Sequence, residues 1–140
     1  MTREQRSGDL VVIPPEECVE LLIAAHVVRI GLQTDHGPLV LPVNHVVHDG
    51  SVFFRTAPGS KLGSAAAGGR VAVETDQTDP ETRGGWSVAG SGTANIVTDE
   101  ALIAELHELP FEPWALPDTR DFWVRIDLEH LTGRRIQRRP

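Results

Sequence analysis

The chain has 140 residues and 15.3 kDa, with 40% hydrophobic residues, 24% charged residues and a formal net charge of −7 at pH 7. That length suits a single domain able to bury roughly two-thirds of its unfolded surface without a disulfide or metal staple. The acidic balance argues against general affinity for nucleic acid or anionic membrane, and no apolar run approaches the roughly 18 residues of a membrane span.

The opening "MTREQRSGDL" is polar and charged, so it reads as a loose segment over residues 1–12 rather than a signal peptide. Pro14 and Pro15 open a helix, with Glu16 and Glu17 favoured in its first turn. Val19, Leu22, Ile23 and His26 recur at helical spacing and predict one apolar stripe. The lone Cys18 has apolar neighbours, which predicts a buried thiol in a reducing cytoplasm.

From Val27 the period changes to that of strands: "VVRIGLQT", the turn "DHGP", "LVLPVNHVV", the turn "HDG", then "SVFFRT". The second of these is apolar on both faces, so one face fills a core and the other needs a cover: a helix, a ligand or a second subunit. Pro42 cannot donate to a ladder, which predicts broken pairing there. A short Ala-rich helix over about residues 60–67 ends at Gly68 and Gly69.

"RVAVETD" is the next strand, followed by the polar loop "DQTDPETRGG" and the long strand "WSVAGSGTANIV". Gly90 and Gly92 in that strand mark a bulge, a bend or a close backbone approach. Thr98 or Asp99 caps a third helix with Leu102, Leu106 and Leu109 on one side. The Pro-rich connector "PFEPWALPD" leads to a last strand, "DFWVRIDLEHL", and a basic tail at 137–140. About six strands joined mostly by tight turns, with about three short helices, predict a mainly β closed antiparallel barrel as one domain over 13–136.

Chemistry concentrates at "RTAPGSKL", which holds Lys61, the one lysine among 13 Lys+Arg residues. A strand delivers Arg55 and Thr56, Pro58-Gly59 turns the chain, and Ser60-Lys61 begins a helix. A helix start, a hydroxyl, a point charge and a guanidinium fork together suit a phosphate monoester. The plain alternative is that Ser60 is an N-cap and both cations are solvated. Asn44, beside the Pro42 interruption, offers an amide to the polar edge of a heterocycle; as a plain polar residue at a bulge it needs no ligand. Trp86 follows two glycines into a strand, where it walls a pocket or joins the core. His45 and His48 sit on opposite strand faces with no metal motif around them, so no metal site is expected.

The run "PLVLPVNHVVHDGSVFFRTAPGSKLGSAAAGGRVAVETDQTD", with "GWSVAGSGTANIV" and "WVRIDLEHLTGRRI", resembles the pyridoxamine 5′-phosphate oxidase-like family over about residues 14–136. More specifically, it resembles the short actinobacterial flavoproteins of the split-barrel flavin and deazaflavin oxidoreductase group. The resemblance implies a six-stranded split barrel, a homodimer and FMN at the dimer interface. It implies that Pro42, Val43 and Asn44 line the isoalloxazine, that Arg55 and Thr56 meet the ribityl phosphate, and that Ser60 and Lys61 hold that phosphate. Trp86 and Ser87 correspond to a strand entry that reaches the cofactor from the partner chain. Leu62 stands where the oxidase proper has a second basic residue, and the chain ends before that enzyme's C-terminal substrate segment, which argues against pyridoxamine phosphate as substrate.

The implied function is an FMN-dependent oxidoreductase acting on a small molecule, with a nicotinamide as reductant. A deazaflavin on the same fold, or a non-catalytic flavin or haem binder using His45, are the alternatives. An oligonucleotide-binding barrel is disfavoured by the acidic charge and the 5% aromatic content.

Overall fold

A computed structural model describes residues 8–65 and 68–138. The elements in order are β1 (Gly8–Val12), α1 (Pro15–Ala24), β2 (Val27–Thr34), β3 (Gly37–Asn44), β4 (Val46–His48), β5 (Ser51–Thr56), α2 (Lys61–Ala65), β6 (Arg70–Asp79), β7 (Gly84–Ile96), α3 (Glu100–Glu108) and β8 (Phe122–Arg138). Every strand pair is antiparallel, in the order β3-β2-β6-β7-β8-β5-β4, with β1 added to β8. The two ends of that order, β3 and β4, are consecutive in the chain and separated only by His45. The sheet therefore curls until its edges meet at His45, which makes a split barrel with its seam there.

Among the described residues eight strands form where about six were expected. The long "LVLPVNHVV" stretch divides at His45 into β3 and β4, and residues 8–12, expected to be loose, pair with β8 from Gly8↔Arg138 to Val12↔Arg134. Residues 1–7 lie outside the described residues. The basic ending also belongs to the sheet as far as Arg138, because β8 runs 17 residues and pairs with both β7 and β1. Arg135 meets Glu17 of α1, and Arg138 donates to the Thr82 carbonyl.

The barrel interior is filled by Val28, Ile30 and Leu32 of β2, Val52 and Phe54 of β5, Val71 and Val73 of β6, and Val124 and Ile126 of β8. These alternate along each strand, as a strand's period of two requires. The other face of β5 and β8 carries Phe53 and Trp123, which pack under Leu106 of α3 with Val97. Asp99 caps α3, its carboxylate accepting from the Ala101 N–H at 2.9 Å.

Helix α1 starts at Pro15 with Glu16 and Glu17 in its first turn. Its buried line is Cys18 and Leu22, not the expected Val19–Leu22–Ile23–His26 stripe: Ile23 is 59% exposed and Val19 39%. The reason is contact geometry at one glycine. A Cβ at Gly133 would meet Cys18 Sγ at 2.7 Å, so β8 admits α1 at closest approach only along the Cys18 side. Burial raises the Cys18 thiol pKa above its ordinary value.

Strand β7 carries the expected irregularity. Its register with β8 shifts between Ala89 and Ser91, around Gly90, and a Cβ at Gly92 would lie 2.2 Å from the Asp127 carbonyl. Pro42, by contrast, does not break the ladder: β2 and β3 stay in register from Val27↔Asn44 to Thr34↔Gly37, with Arg29 opposite Pro42. Because β3 is an edge strand, a residue without an N–H is accommodated there.

Candidate functional site

The seam of the barrel holds a cavity of about 220 Å³. Edge strand β3 contributes Pro42, Val43 and Asn44, β5 contributes Arg55, and the Pro-rich connector closes it with Phe111, Leu116 and Asp121. Arg55 faces outward because β5 alternates: Phe54 and Thr56 share the barrel face, while Phe53 and Arg55 share the face under α3 and the connector. Its guanidinium carbon lies 5.7 Å from the centre of the Trp123 ring, a cation–π arrangement.

Two donors in this region have no partner among the described residues: Arg55 Nε and Trp123 Nε1, both on buried atoms. A buried donor without an acceptor costs roughly 1–3 kcal/mol, so such groups are normally satisfied by a ligand or water. Both are donors only, and an anion is the ligand that suits them.

Asn44 is already engaged. Its Nδ2 donates to the His26 carbonyl at 3.1 Å and its Oδ1 accepts from the Trp114 N–H at 2.9 Å. The amide thus ties the connector to the end of α1 and is not free to meet a heterocycle. Thr56 is buried, and its hydroxyl lies 2.7 Å from Ser60 Oγ, which also accepts from the Gly63 N–H at 2.9 Å. Ser60 is therefore the N-cap of α2.

The structure thus brings Pro42, Val43, Asn44 and Arg55 into one cavity, while Thr56 and Ser60 meet each other and do not line it. Lys61 is exposed and borders a different, polar pocket of about 330 Å³ with Gln33, His36 and Ser64. Trp86 is half-buried on β7, packed against the Ile13–Cys18–Val88 cluster, and Ser87 is exposed on the opposite strand face; neither borders the seam cavity.

The histidines divide. His45 is buried at the seam with Nε2 2.9 Å from the Leu22 carbonyl, and burial holds its pKa below the ordinary value. Its Nδ1, also buried, has no hydrogen-bond partner among the described residues. His48 instead meets Glu105 at 3.1 Å and Asp49 at 3.4 Å, a half-buried imidazole between two exposed carboxylates. On the sheet's outer face, Arg29 bridges Glu74 at 2.9 Å and Asp76 at 2.7 Å, and burial followed by the adjacent Asp76 raises the Glu74 pKa.

The connector residues and Trp123 escape a reading of sequence alone. Nothing in "PFEPWALPD" names a chemistry; the one signal is an aromatic and apolar segment stiffened by three prolines that ends beside the strand carrying Trp123.

The family model for pyridoxamine 5′-phosphate oxidase matches residues 14–135. Among curated proteins, the uncharacterized protein Rv0080 of Mycobacterium tuberculosis is 36% identical over 137 residues, covering 94% of this chain and 89% of that one. The FAD binding protein from Mycobacterium smegmatis superposes with a TM-score of 0.76 at 38% identity, covering 90% of this chain and 97% of that chain. A FAD-binding protein from Mesorhizobium loti gives 0.70 at 25% identity, covering 91% and 99%. The chain belongs to the pyridoxamine 5′-phosphate oxidase family.

Proposed function

We propose that the protein is a flavin-dependent oxidoreductase that binds FMN at the barrel seam and works as a homodimer on a small molecule. The observation that carries this reading is the unpartnered, buried Arg55 Nε in one cavity with Pro42, Val43 and Asn44. Relatives that bind FAD add to it.

In this reading the Pro42–Asn44 backbone supports the ring and Arg55 binds the phosphate, with Trp123 holding the guanidinium in place. Ser60 and Thr56 fix the turn that carries Lys61, which supplies a further positive charge at longer range. The bound flavin supplies hydride or electron transfer, with a nicotinamide as the source of reducing equivalents; the protein's share is binding, orientation and exclusion of water.

Two features support a second subunit. The seam cavity is smaller than the ~300–1,000 Å³ of a typical ligand site, and Val40 on the outer face of β3 is 60% exposed. A partner supplying Trp86 and Ser87 completes the site and covers that face. Light scattering should give about twice 15.3 kDa; a monomer that retains its cofactor contradicts the dimer.

The test is to denature the purified protein and identify the released chromophore by mass. FMN is expected. FAD is the second reading, favoured by the FAD-binding relatives, and a deazaflavin would keep the site while changing the electron chemistry. A colourless protein that takes up none of the three overturns the proposal.

A further inference from the structure

Strand β4 alternates like the others: Val47 packs against the barrel interior, while Val46 joins the cluster under α3. A period of two therefore turns His48 toward α3 as well. Its Nε2 lies 3.1 Å from Glu105 Oε2 on that helix and 3.4 Å from Asp49 Oδ2 in the adjoining turn. The three side chains offer one nitrogen and two oxygens within 4.8 Å of one another, the one such group of His, Cys, Asp and Glu among the described residues. Sequence spacing shows no metal motif here because Glu105 arrives from 57 residues away.

Each arm is held by its own element. Phe53, 1% exposed, shares a buried cluster with Leu106, the neighbour of Glu105, and its ring centre is 6.3 Å from that of His48. The same buried ring thus backs both the imidazole and the helix that carries Glu105. Asp49 and Gly50 have positive φ of 48° and 80°, the conformation of a two-residue hairpin turn, and this fixes Asp49 beside His48.

The plain alternative is an imidazolium between two carboxylates, an exposed ion pair worth little. Charge and spacing favour a metal ion. A neutral imidazole with two carboxylates carries two negative charges, which a dication cancels. Zinc bonds of roughly 2.0–2.2 Å at tetrahedral angles set neighbouring ligand atoms about 3.3–3.6 Å apart. The 3.1 and 3.4 Å separations come close to that spacing. Mg²⁺ and Ca²⁺ prefer oxygen alone, whereas an imidazole nitrogen suits a transition metal. The exposed side leaves room for water as a fourth ligand.

We propose that His48, Asp49 and Glu105 form a site for a divalent first-row transition metal, and that the metal staples β4 to α3. A staple has a purpose there. Strand β4 is the seam edge of the sheet, three residues long, and β5 is its one pairing partner among the described residues. The site is independent of the flavin reading, since none of the three residues lines the seam cavity.

The experiment is a calorimetric titration of the full chain, stripped with EDTA and dialysed, with zinc chloride at about pH 7.5, where imidazole is neutral. One zinc per chain should bind, at least about tenfold more tightly than magnesium or calcium. Glu105→Gln and His48→Gln should each weaken zinc about tenfold or more. Asp49→Asn, which keeps the turn, should weaken it as well. Free zinc about a hundredfold above its dissociation constant should raise the wild-type melting temperature by about 5 °C or more, and that of Glu105→Gln by clearly less. Amide hydrogen exchange should slow on zinc addition in β4 and α3 and stay unchanged in β2.

Equal zinc affinity in wild type and Glu105→Gln, or equal affinity for zinc and magnesium, overturns the proposal. The three residues would then form a surface ion pair, and any zinc taken up would belong to other histidines. Zinc binding that depends on Glu105 and leaves exchange in β4 unchanged overturns the staple.

Discussion

The backbone N–H of Trp114 donates to Asn44 Oδ1 at 2.9 Å, which joins a connector without regular structure to the edge strand at the barrel seam. Through its other end Asn44 donates to the His26 carbonyl at 3.1 Å. One side chain thus ties the connector both to the edge strand and to the residue that follows α1.

Asn44→Ala should therefore loosen the connector while leaving the barrel folded. Losing two hydrogen bonds of this kind costs on the order of 1–3 kcal/mol. Limited proteolysis should show faster cleavage between residues 110 and 120 than in wild type. Unchanged cleavage would mean that the connector is held by Phe111 against Trp123, whose rings are 5.2 Å apart, rather than by Asn44.

Gly133→Ala should destabilise the fold by about 1–3 kcal/mol through overpacking against Cys18 Sγ at 2.7 Å. Cys18→Ala removes that sulfur, so the double variant should be more stable than the sum of the two single losses predicts. Urea melts of the four proteins measure the coupling. Strict additivity would show that the Ser87 carbonyl, 3.2 Å from the same position, is the real obstacle.

His45 gives a pH dependence with a defined sign. Burial depresses its folded-state pKa, so below the unfolded value of about 6.5 the unfolded chain takes up a proton that the folded chain does not. Stability should fall as pH drops from there toward the folded pKa. Melting temperatures of wild type and His45→Gln across that window should converge as the pH falls, because the variant lacks this loss. Parallel curves would mean that His45 titrates alike in both states.

Much of the fold was legible because period and turn chemistry are local. β2 and β5 occupy the same residues that alternation and the "DHGP" and "HDG" turns mark out, Gly68 has the positive φ of 82° that a left-handed cap needs, and Gly90 lies at the bulge. What was not legible depends on distant partners. The strand at Gly8–Val12 exists only because β8 continues to Arg138, and the α1 contact face was decided at Gly133, more than a hundred residues away. The site shows the same division. Pro42, Val43, Asn44 and Arg55 converge as strand order dictates, whereas Arg55 and Lys61, six residues apart, border different pockets because the strand period and the α2 turn point them apart. For Asn44 the sequence leaves open an amide offered to a heterocycle and a plain polar residue at a bulge, because nothing local reveals that Trp114 is its partner.

The phosphate contact at Arg55 is the centre of the account, and a paired titration tests it most directly: FMN and riboflavin against wild type, Arg55→Ala and Lys61→Ala. A charge-assisted contact of this kind contributes about 1.5–3 kcal/mol, so Arg55→Ala should weaken FMN by roughly ten- to over a hundredfold. Riboflavin, with the same ring and no phosphate, should be nearly unaffected, and Lys61→Ala should reduce FMN affinity less than Arg55→Ala does. Equal losses for FMN and riboflavin in Arg55→Ala, or no loss for either, would contradict a flavin phosphate bound by Arg55 at the seam.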